Sequence, residues 1–471
     1  MTPLILWFRR DLRLDDNPML AAAAATGRPL IPVFIADGAV TGLGAAARWR
    51  IGEGVSSFAQ RLAGAGARLT LRRGPVEGVL RALLSETGAT GVWWTRLYDP
   101  AARDRDSALK AALRADGLDA RSFDGHTLAE PWELRTGTGG FYKVYTPFWK
   151  ALEARGVMAP LAAPAHLPPP AVWPGTEDLR DWRLGAAMNR GAPVLARYAR
   201  IGEEAALARL DAFLAGPVED YREGRDFPAR EAVSGLSENL TYGEISPRRI
   251  WHAARAIEAA SPDHSGALHF RKELAWRDFA HHLMYHTPHL LTETWRPEWD
   301  GFPWQGDSAA ADRWRQGMTG EALVDAGLRQ MYVTGTMHNR VRMIVASYLT
   351  KHLMIHWKIG LDWFADCLTD WDPASNALGW QWVAGSGPDA APYFRVFNPA
   401  TQAEKFDRAG GYRRRFIAEL SRTPAPEALA YFDAVPREWR LDPRRPYPQP
   451  MVDLAAGRTR ALEAYQAHRG G

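Results

Sequence analysis

Residues 4–18 read LILWFRRDLRLDDNP. Five apolar residues stand without a charge among them, and charged residues follow at once. A short apolar run bounded in this way is the pattern of a strand buried on both faces. Residues 30–35, 68–72 and 91–95 repeat it. Between these runs, residues 45–63, 76–87 and 101–115 carry apolar side chains at helical spacing. Strand, helix, strand, repeated, predicts a parallel sheet with helices on both faces. Ligands of such sheets sit beyond the carboxyl ends of the strands, so RRDLRLDDNP is expected at that edge. No G-x-G-x-x-G and no Walker loop follows any predicted strand, which excludes the standard dinucleotide and triphosphate sites.

The chain of 471 residues exceeds a single ordinary core, and two or three domains are expected. Residues 156–174 are Pro-rich without periodicity and read as an extended linker. Beyond it the pattern is helical almost throughout, at 194–217, 247–260, 268–285, 321–332, 337–358 and 361–368. The stretch from Arg422 on is rich in Pro and charge and is expected to wrap the surface. The fold class is therefore α/β plus α: a parallel-sheet domain at 1–130, a linker at 131–195 and a helical domain at 196–471.

A content of 46% hydrophobic and 24% charged residues is that of a soluble globular protein. One cysteine, Cys367, rules out an internal disulfide and fits a reducing cytoplasm. The N-terminus lacks the form of a signal peptide, and no apolar run approaches the roughly 20 residues needed to span a bilayer. A net charge of +4 permits a polyanionic partner without demanding one. Twenty tryptophans, more than half of them between Trp251 and Trp439, exceed what a fold needs and suit stacking or electron transfer.

Residues 369–399 concentrate the chemistry. Asp370 and Asp372 can accept from ring N–H groups or neutralise an arginine, and Asn376 can donate or accept. Trp380 and Trp382 follow. The bland alternative is Asp as an N-cap and Trp as core. On the predicted helix 337–358, Asn339 and Met343 share a face. Arg340 and Arg342 there oppose the macrodipole, which points to anionic partners. On helix 268–285, Glu273 and Trp276 set a carboxylate beside an aromatic platform, as in readers of unstacked bases. Residues 234–237 offer hydroxyls and N–H groups to a phosphate, or merely cap a helix. His282 with His286, and His352 with His356, have metal-ligand spacing but no completing acid, and no metal is expected.

Six motifs occur in order: WFRRDLRLDDNP, GLSENLTYGEISPR, ELAWRDF, GTMHNRVRM, WDPASNALGWQW and APYFRVFNP. In these the chain resembles the photolyase/cryptochrome family over nearly its whole length, and within it the class I cyclobutane pyrimidine dimer photolyases of bacterial type. The resemblance implies a Rossmann-like α/β domain, a long linker and a helical domain holding FAD. It implies light-driven DNA repair by a monomeric carbon–carbon lyase, the alternative being a cryptochrome-like photoreceptor.

Carried over by motif, FAD contacts fall on Tyr221, Ser234, Gly235, Leu236, Ser237, Arg342, Asp370, Trp371, Asp372 and Asn376. Asn376 would face the protonatable nitrogen of a fully reduced flavin. Glu273, Trp276, Asn339, Arg340, Met343 and Trp382 would hold a flipped-out dimer, Glu273 bonding the pyrimidine carbonyl edge as the neutral acid. Arg225, Arg277, Arg340 and Gln402 would hold phosphates. Trp380, Trp357 and Trp304 match the family's electron wire. Asn339 and Met343 stand where six-four photolyases carry histidines, which implies cyclobutane dimers. Folate-binding members carry an Asn-Glu pair after the fourth strand, where this chain has Ala101 and Ala102. A second, antenna chromophore is implied, with methenyltetrahydrofolate, a deazaflavin and a flavin all open.

Overall fold

A computed structural model describes residues 1–260, 265–390 and 395–470. Five parallel strands, β1 (Leu4–Phe8), β2 (Leu30–Ala36), β3 (Thr70–Arg73), β4 (Gly91–Thr95) and β5 (Asp119–Phe123), form one sheet in the order β3-β2-β1-β4-β5. The order reverses beside β1, which makes the end of β1 the switch point where ligands of such sheets bind. Strands β1, β2 and β4 are buried along their whole length, as their unbroken apolar runs require. β5 carries Asp119, Arg121 and Ser122, so no apolar run announces this edge strand.

The helical part follows the predicted pattern in most places. Pro247–Ala260 has the expected bounds, and 268–285 lies within Ser265–His286. Three expectations need correction. Region 194–217 divides into Gly191–Leu195 and Glu203–Leu214. The predicted helix 337–358 breaks into Asn339–Ser347, a π turn at Tyr348–His352 and a new helix, Trp357–Cys367. Met354, with φ 54, reverses the chain between them. The stretch after Arg422 is not merely a wrap, since Pro426–Ala434 buries Ala428, Ala430 and Tyr431, and Leu454–Gly470 is a further helix.

Ion pairs, most of them buried, weld the sheet domain to the helical one. Arg50, with no exposed side-chain surface, meets Glu244 at 2.6 Å and also contacts Glu238. Asp16 meets Arg248 at 2.7 Å and Asp15 meets Arg249 at 2.5 Å. Two of the sequence motifs are thus each other's partner. Gly243 lets them close, because a Cβ there would lie 2.0 Å from the Arg10 carbonyl oxygen.

Candidate functional site

A cavity of about 910 Å³ opens between the carboxyl ends of the strands and the helical part. That is the upper range of small-molecule pockets. Its sheet side carries Trp7, Arg9, Arg10, Phe34, Asp37 and Arg105, and its helical side Trp371, Asp372, Asn376 and His281. Only the start of RRDLRLDDNP faces the cavity. Arg13 donates instead to the Gly243 carbonyl, and Asp15 and Asp16 serve the domain seam.

Asp372 does two things at once. One carboxylate oxygen accepts from the Ser375 amide at 2.8 Å, an N-cap for Pro373–Ala384. The other lies 3.3 Å from His281 Nε2. Burial pushes the Asp372 carboxyl up, but His281 and Arg277 outweigh it and hold it well below the usual range. Trp371 lies 5.7 Å under the Arg10 guanidinium. Asn376 donates to the Leu361 carbonyl at 3.1 Å.

Asp370, one turn away, accepts from Arg342 at 2.7 Å and from the Ser237 hydroxyl at 2.7 Å. Ser237 begins the helix Ser237–Thr241, just after Gly235 in the left-handed region. Ser234 turns its hydroxyl to the Leu236 amide at 3.4 Å. Tyr221 packs against Phe213 and Phe270. Apart from the 3.3 Å approach of Asp372 Oδ2 to His281 Nε2, Asp370 Oδ1, Asp372 Oδ2, Trp371 Nε1 and both His281 ring nitrogens are buried without a hydrogen-bond partner. Buried polar groups are ordinarily satisfied. Trp371, Asp372 and His281 line the cavity, with Asp370 next to them in the chain, and polar atoms left open there suit a ligand rich in hydroxyls, phosphates and ring nitrogens; FAD fits these residues.

Arg225 forms an ion pair with Glu273 and lies 2.7 Å from His269 Nε2. Trp276 stacks on Tyr145. Trp382 donates its indole N–H to the Asp389 carbonyl at 3.1 Å. Arg340 pairs with Asp226 at 2.6 Å and covers Phe406. Asn339 is exposed at the helix start and Met343 half-buried one turn on. Gln402 keeps one buried oxygen without a partner. Arg277 faces the domain boundary, donating to the His126 carbonyl at 2.7 Å and lying 3.1 Å from His126 Nε2. Ala391, Pro392, Tyr393 and Phe394 of the last motif lie outside the described residues.

The three tryptophans expected to form a wire, Trp304, Trp357 and Trp380, share one core. Trp380 is 2% exposed and Trp357 fully buried. A Cβ on Gly360 would lie 2.0 Å from Trp380 Cη2, so the helix Trp357–Cys367 touches that indole through a glycine. The His356 ring lies between Trp304, 5.2 Å away, and Trp357, 5.5 Å away. Trp304 donates to the Thr350 carbonyl at 3.2 Å and stacks on Trp299.

Among the described residues, His126, His281 and Asp372 alone place ligand atoms at metal-like spacing, within 4.8 Å of one another. His282 and His286 instead turn to the Pro131 carbonyl. His281 is a residue that sequence reading passed over, although Glu273, Arg277 and His281 fall four apart on one helix face. His126 has no local signal beyond its place after β5.

Residues 4–170 match the family model described as DNA photolyase, and residues 270–467 the FAD binding domain of DNA photolyase. A deoxyribodipyrimidine photo-lyase of Agrobacterium fabrum is 47% identical, over 99% of this chain and 98% of that protein. The crystal structure of a bacterial class III photolyase from Agrobacterium tumefaciens superposes with a TM-score of 0.91 at 45% identity, covering 100% of this chain and 98% of that one. A Synechocystis cryptochrome structure gives 0.84 at 28% identity, covering 98% and 99%. The motifs, the fold and these likenesses agree: the chain belongs to the DNA photolyase family.

Proposed function

We propose that the chain is a deoxyribodipyrimidine photo-lyase that splits cyclobutane pyrimidine dimers in DNA. The carrying observation is the helix Ser265–His286. It bears Glu273 and Trp276 for the lesion and, one and two turns beyond Glu273 on that residue's face, Arg277 against His126 and His281 at the cofactor cavity. One rigid element therefore sets donor and acceptor relative to each other.

A fully reduced FAD held by these residues would supply light-driven one-electron chemistry to the dimer. The chain's residues bind and orient. Trp276 and Trp382 wall the dimer once it has left the duplex. Arg225 swings from Glu273 to a phosphate, and Glu273 then bonds the pyrimidine carbonyl edge. Arg340, released from Asp226, and Gln402 hold the strand, with Asn339 and Met343 against the lesion. Arg342 and Asp370 hold one end of FAD with Ser234, Gly235, Leu236, Ser237 and Tyr221. His281, Asp372, Trp371 and Asn376 hold the other. Arg277 belongs with His126 at the cofactor in this reading rather than at a DNA phosphate. Trp304, Trp357 and Trp380 carry electrons inward.

The domain limits are 1–130, 131–195 and 196–471. The antenna lies at the strand end of the cavity, beside Trp7, Phe34 and Arg105. Within the family, the likeness to the Agrobacterium structure favours the class III type over the class I type expected from the motifs. The fold is shared with a cryptochrome, so the lesion-side residues carry the choice of repair over signalling.

The test is repair of dimer-containing DNA under blue light, read with the absorption spectrum of the purified protein, which also identifies the antenna. Glu273→Ala is expected to keep FAD and lose most repair yield. Equal dimer splitting in that variant overturns the assignment.

A further inference from the structure

We propose that Tyr145 and Asp389 are positioning residues for the lesion, joining Trp276 and Trp382 into one clasp. The inference rests on the reading of those two tryptophans as pocket walls.

The two walls stand on different helices, Ser265–His286 and Pro373–Ala384. The Tyr145 ring lies parallel to Trp276, 7° between planes and 3.9 Å between centroids. A close parallel pair is not what free aromatic rings prefer. Other contacts hold it. The Tyr145 hydroxyl donates to the Lys272 carbonyl at 2.6 Å, one turn before Trp276 on the same helix. The ring also meets Phe279 edge-on at 5.9 Å. One face of Trp276 is thereby occupied, and only the other can receive a base.

Asp389 completes the connection. Its carbonyl accepts the Trp382 indole N–H, and its carboxylate accepts the Tyr145 backbone N–H at 3.3 Å. Tyr145 opens the helix Tyr145–Arg155, whose own N-cap, Val144, has no side chain able to cap it. Asp389 therefore caps that helix from a distant part of the chain, where a carboxylate is favoured. It does so in the left-handed region, with φ 52, which few residues other than glycine, asparagine and aspartate adopt readily. The path Trp382–Asp389–Tyr145–Trp276 is continuous. Fixing both walls before the lesion arrives lowers the ordering cost of binding.

The test uses the flavin-loaded full chain and an oligonucleotide with or without one dimer. Binding in the dark, repair at saturating substrate, flavin content and photoreduction are measured. Tyr145→Leu and Asp389→Gly are expected to weaken dimer binding about tenfold. Binding to the undamaged strand, flavin content and photoreduction stay at the starting level. Tyr145→Phe keeps the stack, and Asp389→Asn keeps the cap and tolerates the backbone. Both are expected to restore binding to within about threefold. Wild-type dimer affinity in Tyr145→Leu and Asp389→Gly, with Trp276→Ala impaired, overturns the clasp and leaves the pocket reading standing. If Trp276→Ala also binds normally, the pocket reading falls first. Parallel loss of flavin or of undamaged-strand binding makes the effect one of folding and overturns the proposal. If Tyr145→Leu does not fold, Asp389→Gly decides alone.

Discussion

Arg342 and Asp370 meet at 2.7 Å, and the pair is lopsided: 26% of the arginine side chain is exposed and 3% of the aspartate. Water still solvates the cation, while the anion depends on its partners. Removing the cation should therefore hurt more. Arg342→Met is expected to cost about 2–3 kcal/mol, below the full value of a wholly buried pair. Asp370→Asn, which leaves a neutral acceptor for Ser237, should cost less. Melting temperatures and flavin-to-protein absorbance ratios of the two variants check the order.

Gly360 and Trp380 give a second outcome. Gly360→Ala forces a methyl against the indole and should destabilise by roughly 1–3 kcal/mol, as overpacking does. Photoreduction of oxidised flavin should slow as the ring is displaced. Trp380→Phe should block photoreduction, while chemically reduced protein still repairs. Flash photolysis distinguishes a displaced ring from a missing one.

Arg50 tests the seam between the domains. Arg50→Met strands Glu244 and Glu238 in the interior and is expected to cost about 3–5 kcal/mol. A triple change to apolar residues of similar volume should recover much of that loss. Chemical denaturation of the three proteins reads it directly.

Buried histidines should weaken the fold in mild acid, against the opposite pull of Glu321 and Asp278, whose carboxyls burial pushes up to about 7 and about 6. Burial holds His282 at about 4, and Pro131 and Tyr142 bond its two nitrogens. Burial first, then Arg460 and Lys351, hold His352 at about 4. Unfolded histidine takes its proton near 6.5. Between about 6.5 and 4 the unfolded chain binds more protons, so stability falls as pH falls. Each group contributes roughly 3 kcal/mol at most across that window. The denaturation midpoint at pH 7.5 and pH 5 measures the drop, and His282→Asn should flatten it.

Much of the site was legible because its residues stand in register. Asp370, Asp372 and Asn376 share one short segment, and Arg342 stands opposite in another motif. What escaped the sequence has physical reasons. The apolar run Leu353–Ile355 continues the pattern of the preceding helix although the chain reverses at Met354, because those side chains are buried on either path. Ala428 and Ala430 pack a helix against the core, yet small residues leave little apolar signal between prolines. His282 and His286 drew attention through their spacing, while His281 meets the cavity. Their partners, not their spacing, separate them: the Pro131 carbonyl for His282 and His286, Asp372 for His281. Tyr145 and Asp389 are 244 residues apart, and only tertiary contact connects them.

The reversal at Met354 has a consequence for how the electron path is built. Gln305 pairs with Ile355 as a short parallel bridge: its amide donates to the Met354 carbonyl at 2.6 Å, and its carbonyl accepts from the His356 amide at 2.9 Å. Trp304 and Trp357 flank that bridge, so main-chain bonds rather than indole packing set the gap between them. A tyrosine put at either end would inherit the same location. The outer half of the proposed conductor would thus behave as a socket, whose inserts can be exchanged to change oxidation potential while the length of the hop stays constant.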